Sequence, residues 1–430
     1  MASQTLTKED VFVPLAPRSI EETGIGIGLL GDLALKIFYF ESYLTGRDLA
    51  ARMGLPFPNV VSVVLEFLRR EQLCEVRSAT GRGGFSEATY EYVLTSRGRD
   101  MARDALDRGQ YTGHAPVPLQ SYIAAVRHQE LKDVVVHQRQ LRQALAHLVF
   151  NPATFEQVGP AINSGRSIFL FGPPGNGKTS VAEAIGSLLM EGDMYIPYAM
   201  EVEGQIIKLF DDVNHVIVQE TQPQRVDGRW VKIRRPFIVV GGELTLEGLD
   251  LVYNGDNKYY EAPYQLKANG GIFLIDDFGR QTVRPTDLLN RWIVPLEKRI
   301  DFMTLHTGRK FEVPFEVLIV FSTNLEPREL VDEAFLRRIR HKIQVGDPSW
   351  EEYAEIFRRV AQAKHIPFSE QALAYLIREH YIKAKRVPRA CHARDLLDQI
   401  IDIANYLSVA PALSKELIDR AALSYFVDFE

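Results

Sequence analysis

Gly172, Pro173, Pro174, Gly175, Asn176, Gly177, Lys178 and Thr179 follow one another with the residue types and spacing of a loop that wraps phosphate. The glycines let successive backbone N–H groups turn inward around an anion, and a helix opening at Ser180 adds the positive end of its dipole. Lys178 is placed to reach the β and γ phosphates of a nucleotide, and the Thr179 hydroxyl to ligate Mg²⁺. An acidic partner follows in GGIFLIDDFG, where Asp276 is placed to hold the Mg²⁺ through water and Asp277 to polarise an attacking water. Ser322, Thr323 and Asn324 end a third apolar run, VLIVFSTNL, and a polar side chain there helps to position the same water. A nucleotide and Mg²⁺ are therefore the expected ligands.

Each of these groups needs an element to carry it. Four apolar residues, Ile168–Phe171, lead into the loop as a strand, and residues 180–190 leave it with the apolar spacing of a helix. Ile272–Ile275 is apolar throughout, as suits a strand covered on both faces, and the run from Val317 has the same character. From residue 348 onward the chain reads as helices only, over 349–364, 369–381, 392–407 and 414–425. The expected fold class is α/β, with a parallel sheet flanked by helices and a helical C-terminal unit.

With these residues in this order, residues 151–430 resemble the AAA+ ATPases. The loop at 172–179 corresponds to Walker A, 272–277 to Walker B, and Asn324 to the polar residue of sensor 1. DEAFLRRI at 332–339 looks like the arginine-finger segment, and ARDLLDQI at 393–400 looks like sensor 2, with Arg394 opening a helix. The resemblance implies ATP as the nucleotide, a core at 151–346, a helical lid at 347–430 that sets Arg394 over the phosphates, and Arg389 as the fallback for that role. Many AAA+ proteins have Asp-Glu where this chain has Asp276-Asp277. The Asp-Asp form is similar to that of replication initiators, helicase loaders and transposition helpers, and it leaves turnover rate open.

In AAA+ proteins the arginine finger comes from the neighbouring subunit and stabilises charge building on the γ-phosphate. Arg337 and Arg338 both stand as candidates, with Arg338 favoured because it precedes the final apolar residue. The resemblance thus implies a homo-oligomer, a hexameric ring by family analogy.

Residues 29–108 form a second compact unit ahead of the core. Helices are expected over 29–43, from a Thr45 cap through 49–53, and over 59–70, then strands over 73–78 and 90–94 joined by a Gly-rich turn at 81–84, and a closing helix after Thr95. Three helices and a β-hairpin resemble a winged helix-turn-helix. That fold often binds DNA, and Arg77 and Arg82 lie on or beside its wing. Its eleven Lys/Arg are balanced by eleven Asp/Glu, so protein docking is favoured over DNA. Residues 1–28 precede this unit, and 109–150 read as a linker rich in Pro and Gly followed by one long or broken helix.

About eighty residues separate the Walker A helix from Walker B, where AAA+ proteins place loops facing a central pore. Arg225, Arg229, Lys232, Arg234 and Arg235 interleave with Trp230 and Phe237, a pattern that grips phosphates or acidic peptide when exposed. Tyr253, Tyr259, Tyr260 and Tyr264 are placed to grip an extended polypeptide or to pack beneath a hairpin. Residues 301–315 read as a hairpin before sensor 1, similar to that of several remodelling clades.

The 430 residues have 46% hydrophobic and 25% charged content, ordinary for a globular chain of two or three domains. A net charge of −6 gives no general attraction to nucleic acid or anionic membrane. Cys74 and Cys391 stand far apart without metal-ligand spacing, and no apolar stretch approaches a membrane span. The sequence therefore predicts a cytoplasmic, oligomeric ATPase that remodels or moves a macromolecular partner, unidentified, which the winged-helix unit helps to recruit. A DNA-handling ATPase and a slow nucleotide-dependent assembly switch are the alternatives.

Overall fold

The computed structural model describes residues 12–78, 87–131, 135–149, 151–190, 192–219, 226–330 and 336–426. Its centre is a five-stranded sheet in which Phe237–Val240, Ile272–Ile275, Leu318–Thr323, Ile168–Phe171 and His341–Gln344 lie side by side, every pair parallel. The three central strands are buried along nearly their whole length because helices and loops cover both faces. Phe169, Phe273, Phe321 and Trp292 fill one face, and Leu170, Leu274, Val320 and Ile185 fill the other. Parallel alignment brings the carboxyl ends of the Walker A, Walker B and sensor 1 strands to one edge, where ligands bind in open α/β sheets.

The helical lid has the predicted elements: Trp350–Ala363, Glu370–Leu376 continuing as a wider turn through Ile377–Ile382, Ala390–Tyr406, and Lys415–Tyr425. Ser349 caps the first helix through a reciprocal pair with Glu352. Tyr353 and Tyr381 are buried between the helices and share a hydroxyl hydrogen bond of 2.7 Å.

The N-terminal unit contains helices Ile27–Tyr39, Gly46–Met53, Ser62–Arg70 and Ser96–Arg108, with Leu44–Thr45 and Cys74–Ser78 pairing antiparallel to Glu91–Leu94. The third helix starts three residues later than expected. Asn59 has φ 62°, outside the helical region, and its N–H donates to the Ser62 hydroxyl at the start of the helix. The predicted wing tip, with Arg82, lies outside the described residues. Arg77 rests over the Tyr43 ring, 5.5 Å from its centroid.

The long segment between Walker A and Walker B folds into a β unit of its own. Val252–Asn254, Tyr259–Glu261, Gln205–Lys208, Ala199–Val202 and Val117–Pro118 form one sheet, and Asp193–Pro197 pairs with Trp230–Arg234 beside it. Residues 109–118, expected as a linker, thus contribute an edge strand, with Val117 pairing parallel to Met200. The expected hairpin is present as Ile300–Thr304 and Lys310–Pro314, but Met303 and Val313 are buried in the core of this unit.

Packing removes most of the segment's basic and aromatic side chains from a gripping surface, while Arg234 stays exposed. Arg229 and Trp230 are buried, Lys232 pairs with Asp193, and Arg235 donates to the carbonyls of Gln129 and Gly270; Arg225 lies outside the described residues. Tyr260 is buried and Tyr264 stacks on Phe273, which leaves Tyr253 as the exposed tyrosine of its set. Arg229 is held by Asp227 at 2.8 to 3.1 Å and donates to the carbonyls of Thr23 (2.8 Å) and Pro116 (3.3 Å). Beside it the backbones of Gly54 and Gly228 meet so closely that a Cβ on Gly54 would lie 2.4 Å from the Gly228 oxygen. The N-terminal unit is therefore fastened to the β unit at this junction.

Candidate nucleotide site

Gly177 ends the loop, and the helix Lys178–Leu189 begins at once, so the first free N–H groups of that helix face the loop. Lys178 is almost fully buried, and its ammonium donates to the carbonyls of Gly172 and Pro173, each at 2.9 Å, and to Asn324 Oδ1 at 2.6 Å. Burial pulls its pKa below the usual lysine value, against the opposing pull of Asp276 and Asp277.

Asn324 turns its other end to Walker B, donating from Nδ2 to Asp277 Oδ1 at 3.1 Å. The ammonium on one side and the carboxylate on the other fix the orientation of this amide. Thr179 Oγ1 donates to Asp276 Oδ2 at 2.9 Å, and Asp276 Oδ1 accepts from the Asp277 N–H at 3.0 Å. Asp277 sits at φ 49°, a left-handed conformation held by the turn that follows the strand. Gln281 braces that turn by donating to the Asp276 carbonyl, and Thr323 does so by donating to the Phe278 carbonyl. Of the three polar residues ending the sensor 1 strand, Asn324 is the one that reaches the site, while Ser322 and Thr323 are buried.

These groups open onto a cavity of about 720 Å³. Its lining includes Pro174, Gly175, Asn176, Gly177, Lys178, Thr179 and Ser180, together with Asp276, Asp277 and Asn324 and with Arg394 from the lid. Arg394 Nε donates to its neighbour Asp395 at 3.1 Å. Arg389 stands just before the same helix, outside the cavity lining. Arg337 is exposed, Arg338 donates to Glu297 at 2.6 Å, and neither lines the cavity of its own chain.

Sequence reasoning missed the apolar wall, made by Leu148 and Val149 ahead of the core and Ile356 and Val360 on the first lid helix. These residues are far apart in the chain and belong to no motif. Arg280 and Arg359 also line the cavity unforeseen. Arg280 follows Asp277 by three residues, the one positional signal that pointed to it.

A hydroxyl beside a carboxylate, both hard oxygen donors at the mouth of a phosphate loop, suits Mg²⁺ when phosphate and water complete its shell. Among the described residues no group of three or more His, Cys, Asp or Glu could hold a metal unaided. Parallel strands in this order carry a lysine joined to Walker B through sensor 1, and a helical lid stands over the loop. This is the arrangement of a P-loop nucleotide site at the edge of an open parallel sheet.

Comparison with known proteins finds local and distant likenesses. Residues 349–424 of the lid match a family described as a domain of unknown function, DUF8689. A vesicle-fusing ATPase of Caenorhabditis elegans is 40% identical over 79 residues, which span 16% of this chain and 9% of that protein. Among solved structures, NtrX of Brucella abortus in complex with ADP is 16% identical with a TM-score of 0.40, over 74% of this chain and 64% of that one. A single-site mutant of RuvB from Thermotoga maritima is 16% identical with a TM-score of 0.37, over 70% of this chain and 74% of that one.

The lid helix that carries Arg394 has a titratable group at its start. His392 is pushed down to about 4, chiefly by burial and then by the Arg389 charge, from an ordinary 6.5. The unfolded chain then binds a proton between pH 6.5 and 4 that the fold refuses, so stability falls as pH drops through that window. Thermal denaturation across it should show a slope that His392→Gln reduces. An unchanged slope would assign the acid sensitivity to other groups.

Proposed function

We propose that this chain is a cytoplasmic AAA+ ATPase that binds ATP with Mg²⁺, hydrolyses it within a ring of like subunits, and uses the cycle to remodel or move a macromolecular partner. The observation that carries the reading is the continuous bridge Lys178–Asn324–Asp277 beside the Thr179–Asp276 pair, all opening on one cavity. Residues 172–180 cradle the phosphates, and Lys178 exchanges its carbonyl partners for phosphate oxygens. Thr179 directly and Asp276 through water would hold the Mg²⁺, which would supply positive charge to the phosphates. Asp277 takes the proton of the attacking water, and Asn324 orients that water.

Arg394 reaches the phosphates from the lid. Arg338, or its neighbour Arg337, completes the site of the adjacent subunit, a reading supported by the position of both outside their own cavity. The N-terminal unit, read as a winged helix, docks a protein partner, since its charges balance.

Asp277→Asn tests the assignment. The variant should bind ATP within a few-fold of wild type and lose roughly 10² to 10⁴ in turnover, the usual contribution of a general base. Wild-type turnover in that variant would remove Asp277 from the chemistry.

A further inference from the structure

Asn176 occupies the loop position two residues before Lys178, and its amide is engaged by residues at the start of the lid and of its third helix. It is 5% exposed. Its Nδ2 donates to Asp347 Oδ1 at 2.7 Å, and its Oδ1 accepts from the backbone N–H of Ala390 at 3.1 Å. Asp347 lies in the short connection between the last core strand, His341–Gln344, and the first lid helix, Trp350–Ala363. Ala390 is the first residue of the helix Ala390–Tyr406 that carries Arg394. One buried amide therefore joins the phosphate loop to the connection into the lid and to the helix that carries Arg394.

A second link lies beside it. The Cys391 N–H donates to the Gly175 carbonyl at 2.8 Å, and the Cys391 thiol packs so tightly on Gly175 that a Cβ there would lie 2.3 Å from its sulfur. Gly175 is at φ 84°, a conformation that glycine holds without strain. The lid's phosphate-facing helix thus begins on loop residues 175 and 176. A buried amide that loses one partner keeps an unmet donor or acceptor, so the two ends of Asn176 act together.

We propose that Asn176 is a positioning residue that couples the phosphate loop to the lid, so that the placement of Arg394 depends on the conformation of the loop. The inference rests on the nucleotide-site reading above and assigns to this chain's own Asn176 and Asp347 a role that the phosphate-loop motif does not specify. Because Asn176 Oδ1 accepts from Ala390 while Nδ2 donates to Asp347, the two side chains can exchange chemistry. Asn176→Asp keeps the acceptor for Ala390 but sets a carboxylate against Asp347. Adding Asp347→Asn restores a donor and acceptor pair with the same net charge as wild type.

The experiment is hydrogen exchange on the full-length protein, read at the Ala390 and Cys391 amides, with ADP affinity and ATP turnover measured on the same samples. Asn176→Asp should speed exchange at those amides and weaken turnover by about tenfold, the scale of a coupling of this kind. The double variant Asn176→Asp with Asp347→Asn should return both to within about threefold of wild type, well inside that coupling scale. Faster exchange that the second substitution fails to reverse would overturn the proposal, as would unchanged exchange in Asn176→Asp. ADP titration of the wild type stands apart from these outcomes: no binding there would sink the nucleotide reading itself, whatever the exchange pattern.

Discussion

Replacing Arg338 with alanine is expected to leave ATP binding within a few-fold of wild type and to lower turnover by about 10³-fold or more, the loss that follows removal of an arginine finger. Arg338 follows the sensor 1 strand and the short helix Pro327–Leu330, and it stands outside the cavity that holds Lys178 and Asp277. On the proposed ring reading, a residue so placed acts on the phosphate of a neighbouring subunit. In the single chain its guanidinium is held by Glu297 at 2.6 Å, so the proposed assembly would trade that carboxylate for the phosphate of the adjoining site. Doping the alanine variant into wild-type protein should reduce turnover more steeply than the fraction added, because each variant subunit disables a site it does not own. Turnover that is normal in Arg338→Ala and lost in Arg337→Ala would exchange the two roles. Proportional loss on doping would mean that sites work singly.

Arg229→Ala should destabilise the protein by about 3 to 5 kcal/mol, the usual result of stranding one member of a buried ion pair. Asp227, 3% exposed, would lose its bidentate partner, and the carbonyls of Thr23 and Pro116 would lose a donor. Denaturant melts should show the loss, with exchange rising first where the N-terminal unit meets the β unit. Replacing Arg229 and Asp227 together by apolar residues should cost much less, because no charge is then left alone. A fully stable Arg229→Ala would show that the junction contributes little to the fold.

The convergence of the candidate site was legible in the sequence wherever residue types stand at a fixed spacing. The phosphate loop, Asp276, Asp277, Asn324 and Arg394 are set by local chemistry, and the structure places all of them around one cavity. The central core strands and the lid helices followed from runs and spacings of apolar residues that only burial explains. The cavity's apolar wall was not legible, since Leu148 and Ile356 come together only through the fold. The same holds for Arg229: a basic and aromatic run reads alike whether it lies on a surface or inside a junction, and the choice depends on Thr23, Pro116 and Asp227 converging on it. Likewise a segment with two prolines and two glycines resembles a tether, and nothing local reveals that Val117 will find Met200.

That last pairing has a consequence for how the chain is made. Val117–Pro118 leaves the ribosome well before Ala199–Val202, the strand it lies against. At 5 to 20 residues per second, the intervening chain takes roughly 4 to 17 s to synthesise. Throughout that interval Ala115 can already bond to Met53, but Val117 lacks the strand it pairs with. Completion of the first half of the molecule is thus timed by the arrival of its middle.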